Sequence, residues 1–375
     1  MGLVDRLAQA LPILADALRS GNLRVARSLL GPGFRGLIRQ DGRRGPHTSM
    51  PVAHRAHFDW TYQSQGGELA RLYRAGKEGQ WDAADLDWKT PVDPLSDALP
   101  LLPMELLPVA KLPAFGRLSA HEQAVQRHHF TAWILSQFLH GEQGAFFASG
   151  QVAESVPWLD AKLCGALQIA DEARHLEAFH GYLSGKLEKV YAIDDNLCVV
   201  VDAVMTDSRW DLKLLGMQVL IEGLALGGFG LLRGLTREPL LRTMLTSVIR
   251  DEARHLAFGV IAVRDCLREL SSRERRDRED WTFEMVRLLR NRFLLHEFYE
   301  EHWGHALSRR KWDELVLGSE MMALFRRKMF ERMIPNLDRI GLLGERVRGR
   351  YEELGLFGFA QGRAVTELTA QELAA

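Results

Sequence analysis

Asp171-Glu172-Ala173-Arg174-His175 recurs unchanged, 80 residues later, as Asp251-Glu252-Ala253-Arg254-His255. Each copy has a glutamate 30 residues upstream, Glu142 before Glu172 and Glu222 before Glu252. The chain thus writes one unit twice: a glutamate, then a Glu-x-x-His pair. On a helix, residues i and i+3 share a face, so Glu172 and His175 point one way, as do Glu252 and His255. An antiparallel helix hairpin brings the upstream glutamate beside its Glu-x-x-His pair. Packing two such hairpins together converges four carboxylates and two imidazoles, the donor set of a carboxylate-bridged dinuclear metal centre in a four-helix bundle. The flanks predict burial, with Leu135, Phe138, Leu139 and Ala145 around Glu142, Leu215, Val219, Ala225 and Phe229 around Glu222, and Leu245, Val248, Ile249 and Leu256 around Glu252. Carboxylates on apolar faces need compensating charge. Two metal ions supply it, and a donor set of oxygen and nitrogen suits iron or manganese. Asp171 and Asp251 are placed to accept the second N–H of the imidazole on the opposite hairpin, with Arg174 and Arg254 to neutralise them. A surface ion pair is the competing account of each Asp–Arg pair. One Glu-x-x-His alone is usually a solvated face; the doubled unit is what makes the metal reading specific.

Four long helices must position this set. The sequence places them at about Ala120–Gly150, Trp158–Leu187, Cys198–Arg233 and Pro239–Leu270. Proline distribution supports this: of 13 prolines, four lie at or before Pro51, six between Pro91 and Pro113, and then only Pro157, Pro239 and Pro335 remain. Proline breaks helix interiors at a cost of about 3 kcal/mol, so the long proline-free stretches read as helix, with Pro157 and Pro239 near helix starts. Strand signals are nearly absent. The fold class is therefore all-α, a four-helix bundle with additional N- and C-terminal helices. Later helices are expected near Asp280–His305, Lys311–Met333 and Leu343–Leu354. The organisation reads as an N-terminal helical extension and proline-rich connection over 1–118, a four-helix core over 119–275, and C-terminal helices packing on it over 276–375.

Composition bounds the function. Apolar residues make up 46% and charged residues 26%, ample for a large core. Lys+Arg is 48 against 49 Asp+Glu, a balance that argues against nucleic acid as a partner. Cys164, Cys198 and Cys266 lie far apart, with no zinc-knuckle or disulfide spacing, which suits a reducing, cytoplasmic setting. No uninterrupted apolar run reaches the roughly 18 residues of a membrane span, so no membrane partner is expected. Asp5, Arg6, Asp16 and Arg19 interrupt the leucines of Met1–Ser20, which reads as an amphipathic helix. The glycine- and arginine-rich stretch Gly31–Ala56 reads as a mobile, solvated loop, with a partner-docking arm as the sharper alternative. Lys89–Pro113 reads as an ordered extended connection that wraps the bundle.

At the doubled motif the chain resembles the ferritin-like diiron-carboxylate oxygenases, a group that includes monooxygenase hydroxylase subunits, arylamine N-oxygenases and acyl-carrier-protein desaturases. The resemblance covers about Ala120–Leu270. A weaker likeness extends over Leu72-Tyr73-Arg74-Ala75, Gln80-Trp81-Asp82 and Leu86-Asp87-Trp88. It implies two iron ions, or a Mn/Fe pair, with Glu142 and His175 on one, Glu222 and His255 on the other, and Glu172 and Glu252 bridging. It also implies O2 and a small organic substrate as reactants, hydroxylated or N-oxygenated. An external electron donor such as a ferredoxin or reductase follows from the lack of any flavin, nicotinamide or iron–sulfur fingerprint, and a homodimer is the default assembly. Phe179 stands where ribonucleotide reductase subunits carry a radical tyrosine, with Tyr182 three residues too late. Val248 replaces the extra histidine of the N-oxygenases, and Leu226, preceded by Ala225, replaces the threonine usual in hydroxylases. The alternatives are an iron-oxidising, metal-handling protein without organic substrate, a desaturase-type oxidase, or a bundle held only by salt bridges.

Several further residues are ambiguous. Gly223, Gly227, Gly228 and Gly230 after Glu222 fit a substrate space, a π-bulge or close helix packing equally well. His128, His129 and His140 are misplaced for ligation beside Glu142, and His180 suits a polar face or a cap. His296, Glu297, Glu300, Glu301, His302 and His305 form a cluster that reads first as solvated charge and second as another metal site.

Overall fold

The computed structural model describes residues 21–368 and Glu372; the amphipathic helix expected over Met1–Ser20 lies outside them. Among the described residues no strand forms. Two antiparallel hairpins make the core. In the first, α3 (Ala120–Ser155) begins with a capping box, Ser119 accepting from the Glu122 N–H while Glu122 accepts from the Ser119 N–H. Val156 takes an extended conformation before Pro157 and ends the helix. The chain then returns as α4 (Leu159–Gly185).

The second hairpin joins α6 (Trp210–Leu235) to α7 (Pro239–Glu269). Pro239 occupies the first turn of α7, and the Glu238 carboxylate accepts from the N–H groups of Leu240 and Leu241. The Tyr182 hydroxyl donates to that same carboxylate at 2.7 Å, tying α4 of the first hairpin to the start of α7.

The single helix expected over Cys198–Arg233 is instead two, α5 (Asp195–Thr206) and α6. Asp207 is extended, and its carboxylate accepts from both the backbone N–H and the guanidinium of Arg209. That local bonding competes with the helix and turns the chain. α6 is long and apolar enough to cross a membrane by length and composition, but 89% of its most apolar window is buried within the protein. Just before Glu222 the α-turns widen into a π-helical segment, Leu215–Ile221.

Glycines on α6 answer the question left by the sequence. A Cβ on Gly227 would lie 2.4 Å from the Lys328 carbonyl oxygen, and one on Gly228 2.7 Å from the Phe138 ring. Both positions serve close packing, although Gly227 also borders, with Gly230, a cavity of about 440 Å³ between α6 and residues 328–332; a Cβ on Gly230 would meet nothing within 4 Å. Gly227 lets α11 (Glu320–Arg339) cross α6 in backbone contact.

The remaining helices clamp the bundle. α1 (Leu23–Gly33) continues through a π-turn over Phe34–Ile38, and Arg35 forms a two-pronged ion pair with buried Asp202 at 2.6 and 2.7 Å. Arg43 pairs with Asp195, Glu297 and Glu300. The expected solvated loop is therefore corrected at Arg35 and Arg43, which anchor on the protein's own carboxylates, whereas Arg39 and Arg44 stay half exposed and pair only with Asp41. α2 (Gly67–Glu78) lies across α4 and α7. Between α2 and α3, Leu101, Leu102, Leu107 and Val109 are buried along the proline-rich connection, and Arg127 holds it through the Leu95 and Ser96 carbonyls.

Beyond α7 the expected helices are shorter than the sequence suggested. α8 (Ser272–Asn291) stops at a tight turn in which Leu295 takes a left-handed φ of 54° before α9 (His296–His302). The helix expected over Lys311–Met333 is broken at Gly318-Ser319 into α10 (Arg309–Leu317) and α11, with Ser319 capping α11. α12 (Glu345–Glu353) follows. The three cysteines are buried and free.

Candidate metal centre

Glu142 projects from α3, Glu172 and His175 from α4, Glu222 from α6, and Glu252 and His255 from α7; all six are buried. The structure brings them together as two overlapping groups: Glu142, Glu172, His175 and Glu252 in one, Glu172, Glu222 and His255 in the other, with one donor atom from each within 4.8 Å of the rest. His175 Nδ1 lies 3.1 Å from Glu142, 3.3 Å from Glu172 and 3.1 Å from Glu252. His255 Nδ1 lies 3.1 Å from Glu172, 3.6 Å from Glu252 and 3.9 Å from Glu222. Glu172 and Glu252 therefore sit between the two imidazoles, and Glu142 and Glu222 at the two ends.

Each imidazole is oriented across the bundle. His255 Nε2 donates to Asp171 at 3.0 Å, and His175 Nε2 donates to Asp251 at 3.2 Å. With Nε2–H committed outward, each Nδ1 lone pair faces the glutamates. Arg174 pairs with Asp171, and Arg254 with Asp251 at 2.6 Å; each arginine also reaches the other aspartate at 3.5 and 3.4 Å.

Sequence reasoning missed an outer ring. The Trp81 indole N–H donates to Asp251 at 2.7 Å, and Gln80 bridges Asp171 and Arg174 at 3.1 and 2.6 Å. Both lie in the stretch noted only for its weak family likeness. Gln168, one turn before Glu172, donates to Glu172 at 2.9 Å and Glu222 at 2.7 Å, and accepts from Gln218, one turn before Glu222, at 3.2 Å. The i, i+4 spacing was the available signal for both glutamines.

Charge in this site is unresolved by protein alone. Burial, then the charge of Glu252, pushes Glu142 well above the usual carboxylate range; burial, then Glu252 and Glu172, does the same to Glu222. Burial also disfavours ionisation of Glu172, but the two imidazoles outweigh it and hold that carboxyl well below its usual value. Burial likewise opposes charge on the histidines; Glu142 for His175 and Glu172 for His255 lead the contributions that overcome it and raise both well above the ordinary imidazole range. Glu172 Oε2, Glu222 Oε2, Glu252 Oε1 and His255 Nδ1 are buried without a hydrogen-bond partner. Unpartnered carboxylate oxygens that face an unpartnered imidazole nitrogen fit metal ions that accept them all. The site is able to hold two metal ions.

The metal face opens on a cleft of about 10 Å³, walled by Phe138, Ala145, Ile221 and Ala225 and lined by Glu142, Glu222, Glu252 and Arg292. It has room for about one water molecule. Phe138 packs at a tilt against Phe179 and Phe229, which stack on each other. Two larger cavities, of about 550 and 610 Å³, lie between α2 and α7 and beneath residues 42–52 along α3; neither is lined by any of the six residues.

The other histidines are otherwise engaged. His128 and His140 bond to the Leu187 and Tyr191 carbonyls, and His180 to Ser184. Of the cluster over 296–305, His296 and Glu297 are buried and paired, which corrects the expectation of solvated charge for them, whereas Glu300, Glu301 and His305 are exposed, as expected. His296 bonds Asp313 and Arg309, and Glu297 takes Arg43 and the Trp133 indole N–H. His129, Glu301 and His302 do converge, with the Tyr191 hydroxyl 2.9 Å from each imidazole. The Lys189 ammonium already holds both Glu301 oxygens, at 2.6 and 2.8 Å.

No protein-family model matches this chain, and no curated protein matches it. Solved structures of R2-like ligand-binding oxidase variants are similar. One with an aerobically reconstituted Mn/Fe cofactor has 16% identity and a TM-score of 0.47 over 75% of this chain and 96% of its own. Another, with an aerobically reconstituted Fe/Fe cofactor, has 15% identity and a TM-score of 0.47 over the same shares.

Proposed function

We propose that this chain is an O2-activating non-haem diiron oxidoreductase, with a Mn/Fe pair as the alternative metal content, and that it oxygenates a small organic substrate. The observation that carries the reading is the set of four buried glutamates and two imidazoles whose unpartnered atoms face one another. Bound there, the two metal ions would supply the electrons and the Lewis acidity for reduction of O2.

The chain's own residues do the rest. Glu142 with His175 would hold one metal ion and Glu222 with His255 the other, and Glu172 and Glu252, within reach of both imidazoles, would be shared between them. Asp171 and Asp251 fix the imidazole tautomers, and Gln168 holds Glu172 against Glu222. The aromatic wall excludes water, and the cleft between Phe138 and Ala225 has a scale suited to O2. Electrons come from an external donor, for which a ferredoxin or reductase is the chemical fit.

Ferrous reconstitution under anaerobic conditions, followed by an O2 pulse under stopped-flow absorbance, tests the reading. Oxidation of two irons per chain through a transient visible band supports it. Oxidation no faster than that of free iron in the same buffer refutes it, and continued iron uptake beyond two per chain favours metal handling instead.

A further inference from the structure

A second set of metal-type donors lies away from the six buried residues. His129 is on α3, 13 residues before Glu142, which places it about 20 Å along the helix from that glutamate. Glu301 and His302 end α9, and Tyr191 lies in the connection between α4 and α5. Four donor atoms meet there. The Tyr191 oxygen is 2.9 Å from His129 Nδ1 and 2.9 Å from His302 Nε2. Glu301 Oε1 is 3.7 Å from His302 Nε2 and 4.0 Å from His129 Nδ1. The two imidazole nitrogens and the carboxylate oxygen all lie within 4.8 Å of one another. A phenol carries one proton, so Tyr191 satisfies at most one of the two nitrogen lone pairs. Burial, then the charges of His302 and His128, pushes His129 down to about 4, and burial leads the same downward shift at His302. Both rings are therefore neutral at about pH 7, the form that binds metal.

Lys189, from the same connection as Tyr191, holds both Glu301 oxygens at 2.6 and 2.8 Å and lies over the Tyr191 ring, 4.5 Å from its centroid. Its ammonium is the charge that an incoming cation has to displace. The side chain is partly exposed, and its flexible stem lets it swing out to solvent. In a tetrahedral zinc site with ligand distances of about 2.0–2.1 Å, neighbouring donors stand about 3.3 Å apart. The four measured separations, from 2.9 to 4.0 Å, bracket that value. We propose that His129, His302 and Glu301 form a mononuclear zinc(II) site, with the Tyr191 oxygen at its fourth corner, and that Lys189 closes the site when no metal is bound. Two imidazoles and a carboxylate are donors that suit such a borderline ion.

This site stands or falls apart from the dinuclear centre, and its test keeps the two separate. Wild type, His302→Gln, Lys189→Met and Glu172→Ala, each stripped of metal, are dialysed to equilibrium against zinc chloride buffered by a competing chelator. Bound zinc is counted by inductively coupled plasma mass spectrometry. However many ions the buried glutamates take up, His302→Gln should bind one zinc fewer per chain than wild type, its affinity at this site at least about 100-fold lower. His129→Gln, on a different helix, should lose the same zinc and serves if His302→Gln does not fold. Glu172→Ala should keep it. Lys189→Met, which removes the competing ammonium, should bind it at least about fivefold more tightly than wild type. Equal zinc content and affinity in wild type and both histidine variants overturns the proposal. So does a Glu172→Ala chain that binds no zinc at all, which would assign every bound ion to the buried centre. Unchanged or weaker binding in Lys189→Met overturns the closure by Lys189.

Discussion

Replacement of Asp251 by asparagine perturbs the centre through one imidazole without touching a carboxylate that faces the metals. One Asp251 oxygen accepts from the Trp81 indole at 2.7 Å and from His175 Nε2 at 3.2 Å; the other accepts from Arg254 at 2.6 Å. Asparagine has one acceptor for these three donors. If its carbonyl stays with Trp81 and His175, its NH2 is set against the Arg254 guanidinium, donor against donor. If it flips, His175 loses the acceptor that fixes its tautomer. Arg254 is 18% exposed, so loss of its bond, partly compensated by solvent, costs about 1 kcal/mol of stability. Loss of the carboxylate that orients a metal-binding histidine lowers metal affinity by about 10- to 100-fold, equivalent to about 1.4–2.7 kcal/mol. The loss should fall on the half of the centre that contains His175 and Glu142. Anaerobic ferrous titration against a competing chelator should therefore show one iron bound as in wild type and one weakened. Asp171→Asn should give the mirror result through His255. Two irons bound with unchanged affinity in both variants would refute the reasoning that the cross-bundle Asp–His bonds set the donor geometry.

Other expectations follow from the same structure. In the metal-free chain, His175, His255, Glu142 and Glu222 have folded-state pKa values raised above their unfolded values. They add stability at low pH that is lost as pH rises through the folded values, whereas metal binding requires the deprotonated forms. Scanning calorimetry should thus show the gap between loaded and metal-free midpoints widening as pH rises above about 5; a constant gap would contradict this. Gly227→Ala drives a methyl group into the Lys328 carbonyl and should cost about 1–3 kcal/mol by chemical denaturation, with α6 and α11 forced apart. Arg35→Ala leaves Asp202 buried without its partner; because Arg35 is itself 23% exposed, the expected loss is about 2 kcal/mol, less than for a fully buried pair. A denaturation midpoint unchanged in that variant would show that the Arg35–Asp202 pair adds nothing to the bundle.

The convergence of Glu142, Glu172, His175, Glu222, Glu252 and His255 was legible because helix geometry converts i, i+3 spacing and equal 30-residue offsets into position. The crossing of Asp171 to His255 and Asp251 to His175 was legible for the same reason. Gln80, Trp81 and Arg292 reach the centre through tertiary packing across some 40 to 170 residues of sequence, which no local period encodes. The break between α5 and α6 was marked in the sequence by the polar run Thr206-Asp207-Ser208-Arg209, and the side-chain bonding of Asp207 is what makes it stop the helix. Arg35 and Arg43 read as solvated because their partners, Asp202, Asp195 and Glu297, belong to distant helices. Glycines are silent in sequence as to whether they open space or close it; the Lys328 carbonyl over Gly227 answers that.

The central claim is a dinuclear centre, and metal stoichiometry tests it most directly. Wild-type chain and Glu172→Ala, each reconstituted anaerobically with ferrous iron and freed of loosely bound metal, would be measured by inductively coupled plasma mass spectrometry. Glu172 lies within reach of both imidazoles, so the account predicts about two irons per wild-type chain and a marked loss from both positions in the variant. Less than about half an iron per wild-type chain, with Glu172→Ala no different, would contradict it and leave a bundle held by its salt bridges alone.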